Sequence, residues 1–251
     1  MREPWPQFRY TPLIMKVFVI LPAAGLGTRM AADSPKQFLA LAGVPILMHS
    51  LRAFLSVQRV AGIFVAVRKA EMPRVLEQLA EQEHLAEYKL TGKVSVVEGG
   101  DQRQQSVANA LAALPAADED IVLVHDAVRP LIDAATIDRT IDAIAKHGAA
   151  IVALPAVDTI KQVERTADGA IITATIPRER IVQAQTPQGA RFGLLKQAFA
   201  SAAADQFIGT DEASLLERAD IPVTVVAGSA RNFKITQPGD LELAEFYLRT
   251  R

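Results

Sequence analysis

Short apolar runs alternate with helical patterns from residue 17 to residue 154 of this chain. The runs are rich in valine and isoleucine, and the stretches between them carry apolar residues three or four positions apart. Strands that alternate with helices predict right-handed βαβ units, and therefore an α/β fold whose mostly parallel sheet is covered by helices on both faces. The predicted strands are 17–21, 62–67, 94–97, 121–125 and 149–154, and the predicted helices are 44–55, 72–84, 103–114 and 132–147.

A different pattern follows at about 157–180. Two short alternating segments, 158–163 and 170–175, flank the turn sequence Thr-Ala-Asp-Gly at 166–169, which predicts an inserted β-hairpin. A two-stranded hairpin alone is marginal in water, so we expect it to pack against a second copy of the chain. The predicted apolar face consists of Ile160, Val163 and Ile171.

The remaining residues return to the α/β pattern. They predict strands at 181–185, 223–226 and 232–235, helices at 192–204 and 238–248, and a helix that begins at Thr210 as its N-cap. We divide the chain into an N-terminal extension, 1–15, that is mostly loose, and a single domain, 16–251. The alternative for the extension is a short arm packed through Trp5 and Phe8.

Composition excludes several classes of function. The 251 residues carry a formal net charge of -1, so no broad basic field is available for nucleic acid. The absence of cysteine excludes disulfides, a thiol nucleophile and cysteine-ligated zinc, and it fits a reducing compartment. No apolar run is long enough to span a bilayer, so we expect a cytoplasmic protein that acts on small molecules.

Two glycines directly follow the first predicted strand. A backbone without side chains at Gly25 and Gly27 can turn tightly and present N–H groups to an anion, and Arg29 and Lys36 add positive charge nearby. This combination predicts a site for the phosphates of a nucleoside triphosphate. It matches neither the dinucleotide-binding fingerprint, because Met30 replaces the third glycine, nor the P-loop pattern, so an ordinary strand–helix turn stays open as the alternative.

Two further strand ends carry candidate site residues. Gly99 and Gly100 precede a predicted helix, and their backbone could contact a base edge or a sugar or could form a plain turn. Asp126 follows the strand 121–125, where a carboxylate could hold Mg²⁺, bind a substrate hydroxyl or form a salt bridge. We expect His125 to be packed rather than to act as a base. Because ligands bind beyond the carboxyl ends of parallel strands, these groups should meet in one cleft.

Together these motifs closely resemble the 2-C-methyl-D-erythritol 4-phosphate cytidylyltransferase family, which joins CTP to methylerythritol phosphate in isoprenoid biosynthesis. The resemblance extends from Lys16 nearly to the end of the chain. It rests on P-A-A-G-L-G-T-R-M at 22–30, P-K-Q-F at 35–38, G-G-D-x-R-x-x-S-V at 99–107, V-H-D-A-V-R-P at 124–130, D-T-I-K at 158–161, Q-T-P-Q at 185–188, T-D-E-A-S at 210–214 and N-F-K-I-T at 232–236.

The resemblance implies a Rossmann-like nucleotidyltransferase fold. It also implies a divalent metal such as Mg²⁺, for which Asp126 is a candidate ligand, and a homodimer in which the hairpin arms of the two chains embrace each other. The residues that it places around CTP are Pro22, Ala23, Ala24, Gly25, Gly27, Arg29, Lys36, Gly99, Gly100, Asp101, Arg103 and Ser106. Those that it places around methylerythritol phosphate are Asp126, Arg129, Thr159, Arg178, Thr186, Thr210 and Lys234, with Thr159 and Arg178 reaching across the dimer. The implied catalytic groups are Arg29, Lys36, Arg178 and Lys234.

Two alternatives stay open. A related enzyme could transfer the cytidylyl group to another polyol phosphate, such as ribitol 5-phosphate, since such enzymes share the glycine loop and the late lysine. A nucleotide-binding regulatory protein without catalysis would not need Arg29, Lys36 and Lys234 together.

Overall fold

A computed structural model describes residues 15–25, 34–81 and 92–250, and the account that follows concerns these ranges. The strands are β1 (Val17–Pro22), β2 (Ala40–Leu41), β3 (Val44–Pro45), β4 (Val60–Val67), β5 (Val94–Glu98), β6 (Ile121–Val124), β7 (Ala149–Pro155), β8 (Ile160–Thr166), β9 (Gly169–Ile176), β10 (Val182–Arg191) and β11 (Thr224–Ala227). The α-helices are α1 (Ile46–Leu55), α2 (Met72–Glu81), α3 (Arg103–Ala113), α4 (Ala134–His147), α5 (Phe192–Ala204), α6 (Glu212–Arg218) and α7 (Pro238–Arg249). Short 3-10 turns occupy Lys36–Phe38, Lys69–Glu71 and Arg178–Arg180.

Among the described residues, seven strands form the central sheet, in the order β11-β7-β10-β6-β1-β4-β5. Strand β1 pairs in parallel with β4 and β6, β4 with β5, and β7 with β11, whereas β10 runs antiparallel between β6 and β7. The predicted α/β fold with a mostly parallel sheet is therefore confirmed.

Strand β1 shows why the sheet carries helices on both faces. Val17, Val19 and Leu21 belong to one hydrophobic cluster, which includes residues of α1, α2 and α4. Phe18 and Ile20 belong to a second cluster, which includes residues of α3, α5 and α6. Successive side chains of a strand point to opposite faces, so a continuous apolar run places core residues on both.

Strand β10 is longer than predicted. The expectation that residues 185–188 end a strand is wrong, because the strand continues to Arg191 and the register with β7 shifts between Ala184 and Gln188. Pro187 removes a ladder donor, and the shifted register accommodates that loss. A Cβ at Gly189 would collide with the backbone carbonyl of Val122, so this central strand needs a glycine there.

Three other local predictions are corrected. Residues 232–235 do not form a strand, because a turn stabilised by side-chain contacts takes its place. The cap of α6 is Asp211 rather than Thr210, since the Asp211 carboxylate accepts from the Ser214 amide at 3.0 Å. Helix α1 starts at Ile46, and residues 44–45 pair with β2 instead.

The predicted hairpin is present as β8 and β9, which pair with each other outside the central sheet. Its predicted single apolar face is wrong. The register sets Val163 opposite Ile172 and Glu164 opposite Ile171. Consecutive pairs point to opposite faces, so exposed isoleucines lie on both sides of the hairpin.

Residues 1–14, which hold almost all of the predicted extension, lie outside the described ranges, as do residues 82–84 of the second predicted helix. None of the helices in the part of the chain that the structure describes is long and apolar enough to cross a bilayer.

Candidate functional site

A cavity of about 260 Å³ opens where β1, β5 and β6 end. Gly25, Gly100 and Asp126 line this first pocket together, as predicted from their positions after strand ends. Its lining comprises Pro22, Ala23, Ala24, Gly25, Lys36, Gln37, Gly100, Asp101, Gln102, Arg103, Ser106, Asp126, Ala127, Val128 and Lys234. Gly27 and Arg29 fall outside the described residues.

Side chains fix the backbone where the glycine loop leaves β1. The buried amide of Gln37 donates to the carbonyl of Ala23 at 2.6 Å and to that of Gly25 at 3.1 Å. Arg68 Nε donates to the carbonyl of Ala24 at 2.9 Å. Three successive carbonyls are thus held from the protein side, where the loop enters the pocket. Sequence reasoning assigned no role to Gln37 or Arg68.

Lys36 stands at the start of the 3-10 turn that follows the loop, and its Nζ donates to the carbonyl of Ile235 at 3.3 Å. Arg74 steadies the same turn, since its guanidinium lies 4.3 Å from the ring centroid of Phe38 and donates to Ser34 Oγ at 3.0 Å. The ammonium of Lys36 therefore reaches the pocket wall near Lys234.

The second glycine turn packs closely against the first loop. A Cβ at Gly99 would lie 2.9 Å from Cβ of Ala24 and 3.0 Å from Oγ of Ser106, so only glycine fits. Ser106 is buried, and its hydroxyl accepts from the amide of Gly100 at 3.0 Å. Ser106 thus shapes the turn, while Asp101 beside it stays exposed on the pocket rim.

Among the described residues, three cations surround the buried carboxylate of Asp126. Arg103 Nε lies 3.1 Å from Oδ1, whereas Lys234 Nζ and Arg129 Nε lie 3.0 Å and 3.4 Å from Oδ2. Burial raises the pKa of Asp126, but attraction to Arg103, Lys234 and Arg129 outweighs it and holds the pKa well below its usual range. Asp126 is therefore ionised at neutral pH.

Glu212 holds Arg103 from the other side. It is only 1% exposed, and its two oxygens accept from the guanidinium at 2.7 Å and 2.9 Å. Burial lowers the pKa of Arg103, but attraction to Glu212 and Asp126 more than compensates and raises it above its usual range. A bidentate pair fixes the plane of the guanidinium. Sequence reasoning quoted Glu212 within a motif but gave it no role, because its partner lies far away in the chain.

A second, smaller cavity of about 180 Å³ adjoins the first. Its lining comprises Arg103, Asp126, Arg129, Ala184, Gln185, Thr186, Gln188, Thr210, Asp211 and Lys234. The antiparallel strand β10 brings Thr186 to this edge of the sheet, where its Oγ1 accepts from the amide of Asp126 at 3.0 Å. The two cavities share Arg103, Asp126 and Lys234, so these side chains form a common wall.

His125 supports this wall from behind. Its Nε2 lies 3.1 Å from the carbonyl of Arg129, which can only accept, so we assign the proton to Nε2. Nδ1 then accepts from the hydroxyl of Thr186 at 3.0 Å. Burial lowers the pKa of His125 from 6.5 to about 4, so the ring is neutral at physiological pH. A neutral, packed imidazole agrees with the expectation that His125 is no base.

Thr159 and Arg178 are not brought to either cavity. Both residues are exposed at the base of the hairpin, and Arg178 Nη1 donates to the carbonyl of Val157 at 2.6 Å. Within the described residues of one chain, these two predicted groups lie apart from the other site residues.

Among the described residues, Asp126 is the one carboxylate that lines both cavities. The described residues contain no cluster of three or more acidic or histidine side chains that could hold one. Mg²⁺ typically binds one or two carboxylates together with substrate phosphates and water. Both oxygens of Asp126 already pair with cations, so a metal bound here would be held mainly by substrate phosphates and water.

Comparisons with known proteins agree on one family. The model of the family described as IspD, 2-C-methyl-D-erythritol 4-phosphate cytidylyltransferase, matches residues 17–250. Enzymes of that name from Acidobacterium capsulatum and Solibacter usitatus are 67% and 52% identical to the chain; both alignments cover 94% of it, and they cover 99% and 96% of those enzymes.

Solved structures show the same likeness. The 2-C-methyl-D-erythritol 4-phosphate cytidylyltransferase of Thermus thermophilus superposes with a TM-score of 0.74 at 34% identity, covering 94% of this chain and 100% of that one. The enzyme of Francisella tularensis gives a TM-score of 0.76 at 35% identity, with coverage of 92% and 99%. The chain belongs to the 2-C-methyl-D-erythritol 4-phosphate cytidylyltransferase family, whose members are nucleotidyltransferases of isoprenoid biosynthesis.

Proposed function

We propose that the first pocket binds CTP, that the second binds 2-C-methyl-D-erythritol 4-phosphate, and that the cytidylyl group passes between them at their common wall. The observation that carries this assignment is the sharing of Arg103, Asp126 and Lys234 by both cavities. A transfer between two bound substrates needs adjacent sites that meet where the bond forms.

The chemistry is an in-line displacement. A phosphate oxygen of the acceptor attacks the α-phosphorus of CTP, the new P–O bond forms, and the bond to the departing pyrophosphate breaks. The products are 4-diphosphocytidyl-2-C-methyl-D-erythritol and pyrophosphate. No protein nucleophile is required, so catalysis depends on positioning and on charge stabilisation.

Both reactants are anions, and the cations around the two cavities offset their repulsion. Lys36 faces the first pocket and Lys234 both pockets, while Arg129 faces the second. At about 4 Å and an effective dielectric near 20, one such pair of charges contributes roughly 4 kcal/mol. Arg29, which the family pattern places on the CTP phosphates, would add to this field.

The proposal includes a divalent metal, with Asp126 as its candidate protein ligand. When bound, the metal would neutralise phosphate charge and polarise the reacting phosphoryl group. Asp126 accepts from three cations in the described structure, so it also keeps them in place before substrates bind.

The proposal also includes a homodimer. Exposed isoleucines on both faces of the hairpin support it, because an isolated hairpin with such faces is marginal in water. In the dimer, Thr159 and Arg178 of one chain would reach the acceptor in the partner's second pocket. We further propose a cytoplasmic location, which the absence of cysteine supports.

Turnover tests the assignment. Purified protein is mixed with CTP, Mg²⁺ and one polyol phosphate at a time, and pyrophosphate release is measured. We expect methylerythritol phosphate to give the highest kcat/KM and CTP to be the best donor. A higher kcat/KM with ribitol 5-phosphate would instead assign the chain to the related activity, and CTP binding without pyrophosphate release would indicate a regulatory protein.

A further inference from the structure

Asn232 touches three groups that shape the acceptor pocket, although it lines neither cavity itself. It is fully buried, in the turn between β11 and α7. Its side-chain amide donates to the carbonyl of Thr186 at 2.7 Å and to Gln185 Oε1 at 3.3 Å. Its backbone carbonyl accepts from Arg129 Nη1 at 2.8 Å.

The same turn carries Lys234. Because Lys234 follows Asn232 by only two positions, anchoring Asn232 to β10 also limits where the Lys234 ammonium can lie. That ammonium is 3.0 Å from Asp126 Oδ2. A single residue thus ties the guanidinium of Arg129, the backbone of Thr186 and the turn of Lys234 into one arrangement.

The hydrogen bonds explain why an asparagine is needed. Gln185 Nε2 donates to the carbonyl of Ser229 at 3.0 Å, so Gln185 Oε1 faces Asn232 as an acceptor. The carbonyl of Thr186 also accepts, so position 232 must supply two donors, which aspartate does not have. The Asn232 Oδ1 atom is buried with no hydrogen-bond partner among the described residues.

We propose that Asn232 is a positioning residue for the acceptor side of the reaction. It sets the geometry of Arg129, Thr186 and Lys234 without touching a substrate. The proposal rests on the proposed function, in which the second pocket holds the acceptor phosphate.

The test uses the full-length protein and compares Asn232→Asp with wild type. Aspartate keeps the size of the side chain but loses both donors and adds a negative charge, so we include Asn232→Ser, which keeps one short donor and no charge. Steady-state kinetics with methylerythritol phosphate give kcat and the acceptor KM, and equilibrium binding gives the Kd of CTP. We expect the acceptor KM to rise at least tenfold in Asn232→Asp and between threefold and tenfold in Asn232→Ser, and kcat to fall because Lys234 is displaced. The Kd of CTP should rise by less than the acceptor KM, since Arg129 and Thr186 line only the second pocket.

Thr140→Val serves as the matched structural control. Thr140 is fully buried on α4, its hydroxyl donates to the carbonyl of Thr136 at 2.8 Å, and it lines neither cavity. The loss of this hydroxyl and of its hydrogen bond should lower the melting temperature and leave the acceptor KM unchanged.

Four results would overturn the proposal. They are an acceptor KM within threefold of wild type in folded variants, an equal rise of the acceptor KM and the Kd of CTP, a rise of the acceptor KM in Thr140→Val, and failure of both Asn232 variants to fold. Absence of turnover by wild type would refute the proposed function itself, so the two failures are distinguishable.

Discussion

At the scale of single residues, the common wall of the two pockets is built from opposed charges. Arg103, Arg129 and Lys234 face Asp126, and Glu212 binds Arg103 from behind. Removing one partner of a buried pair usually costs more than the pair contributes, because the other charge stays buried. Asp126, however, keeps two cations when a third is lost, so a lysine at this wall can be replaced without leaving the carboxylate unpaired.

The first prediction concerns Lys36→Ala and Lys234→Ala. Both lysines should stabilise the negative charge that grows as pyrophosphate departs. An interaction that is stronger in the transition state than in the ground state lowers the barrier of the chemical step and so raises kcat. We expect kcat to fall about a hundredfold or more, roughly 2.7 kcal/mol at ~1.36 kcal/mol per decade. The melting temperature should change little: Lys234→Ala loses one ion pair with Asp126, but Arg103 and Arg129 still pair with that carboxylate.

Steady-state kinetics and melting curves check this expectation, with Lys196→Ala as the control. Lys196 is exposed on α5, where it pairs with Asp118 at 3.3 Å. A raised KM with unchanged kcat would contradict the role and show that the lysines bind only the ground state.

The second prediction concerns the pH dependence of stability. Burial lowers the pKa of His125 to about 4, below its unfolded value of 6.5. The unfolded chain therefore binds a proton that the folded chain excludes. Above pH 6.5, the titration of His125 does not affect the free energy of unfolding. As the pH falls from 6.5 towards 4, it lowers the free energy of unfolding by up to about 1.4 kcal/mol per pH unit.

Urea denaturation at several pH values between 7.5 and 4.5 measures this slope. We expect a shallower slope in His125→Gln than in wild type, and His147→Gln, at an exposed position at the end of α4, serves as the matched substitution for comparison. An equal slope in wild type and His125→Gln would rule out His125 as the source.

At the scale of elements, the hairpin formed by β8 and β9 stands apart from the regular alternation of strands and helices. The hairpin pairs only within itself among the described strands, and Ile171 and Ile172 are 62% and 60% exposed. Alternation sends these neighbours to opposite faces, so in the proposed dimer the partner would have to cover both. An arm that is embraced from two sides satisfies this requirement.

The third prediction is that Ile171→Lys and Ile172→Lys each weaken the dimer, because each places a charge in a face that the partner should bury. Sedimentation velocity at micromolar concentration should show a wild-type dimer and variants shifted to monomer, with activity lost in parallel. Ile208→Lys is the matched control, since Ile208 is 64% exposed outside the hairpin. A fully active wild-type monomer would contradict the dimer.

At the scale of the whole molecule, the described core begins with β1. The amide of Lys16 donates to Asp120 Oδ1 at 2.8 Å, and Val17 is the first residue of the larger hydrophobic cluster. The Lys16–Asp120 hydrogen bond and the packing of Val17 would both remain in a chain that starts at Met15.

The fourth prediction is that removal of residues 1–14 leaves kcat, KM and the melting temperature nearly unchanged, since the described hydrophobic core starts with Val17 of β1. Removal of residues 1–17, which deletes Val17 from β1, is the control and should lower the melting temperature. A drop of several degrees in the shorter truncation would show that the segment is packed.

The fold class, most of the helices and strands, and the strand ends that carry the site could all be predicted from the amino-acid sequence. The spacing of apolar residues and the positions of turn residues are local properties of the sequence. They identify a strand or a helix wherever the spacing is regular, as in 17–21 and 103–114. Motif order also identified the family before any contact was known. Local patterns failed where a neighbour's contacts override them, as in the turn at Asn232 and in the strand through Pro187.

Which distant residues share the common wall of the two pockets depends on how the strands and helices pack together. Arg103 meets Glu212 across 109 positions of the chain, and Thr186 meets Asp126 across 60. The strand order and the antiparallel placement of β10 between β6 and β7 bring these residues together. Neither feature can be predicted from the local spacing of apolar residues. The positioning roles of Gln37, Glu212 and Asn232 therefore emerge only from the folded chain, because a hydrogen bond depends on distance and direction in space.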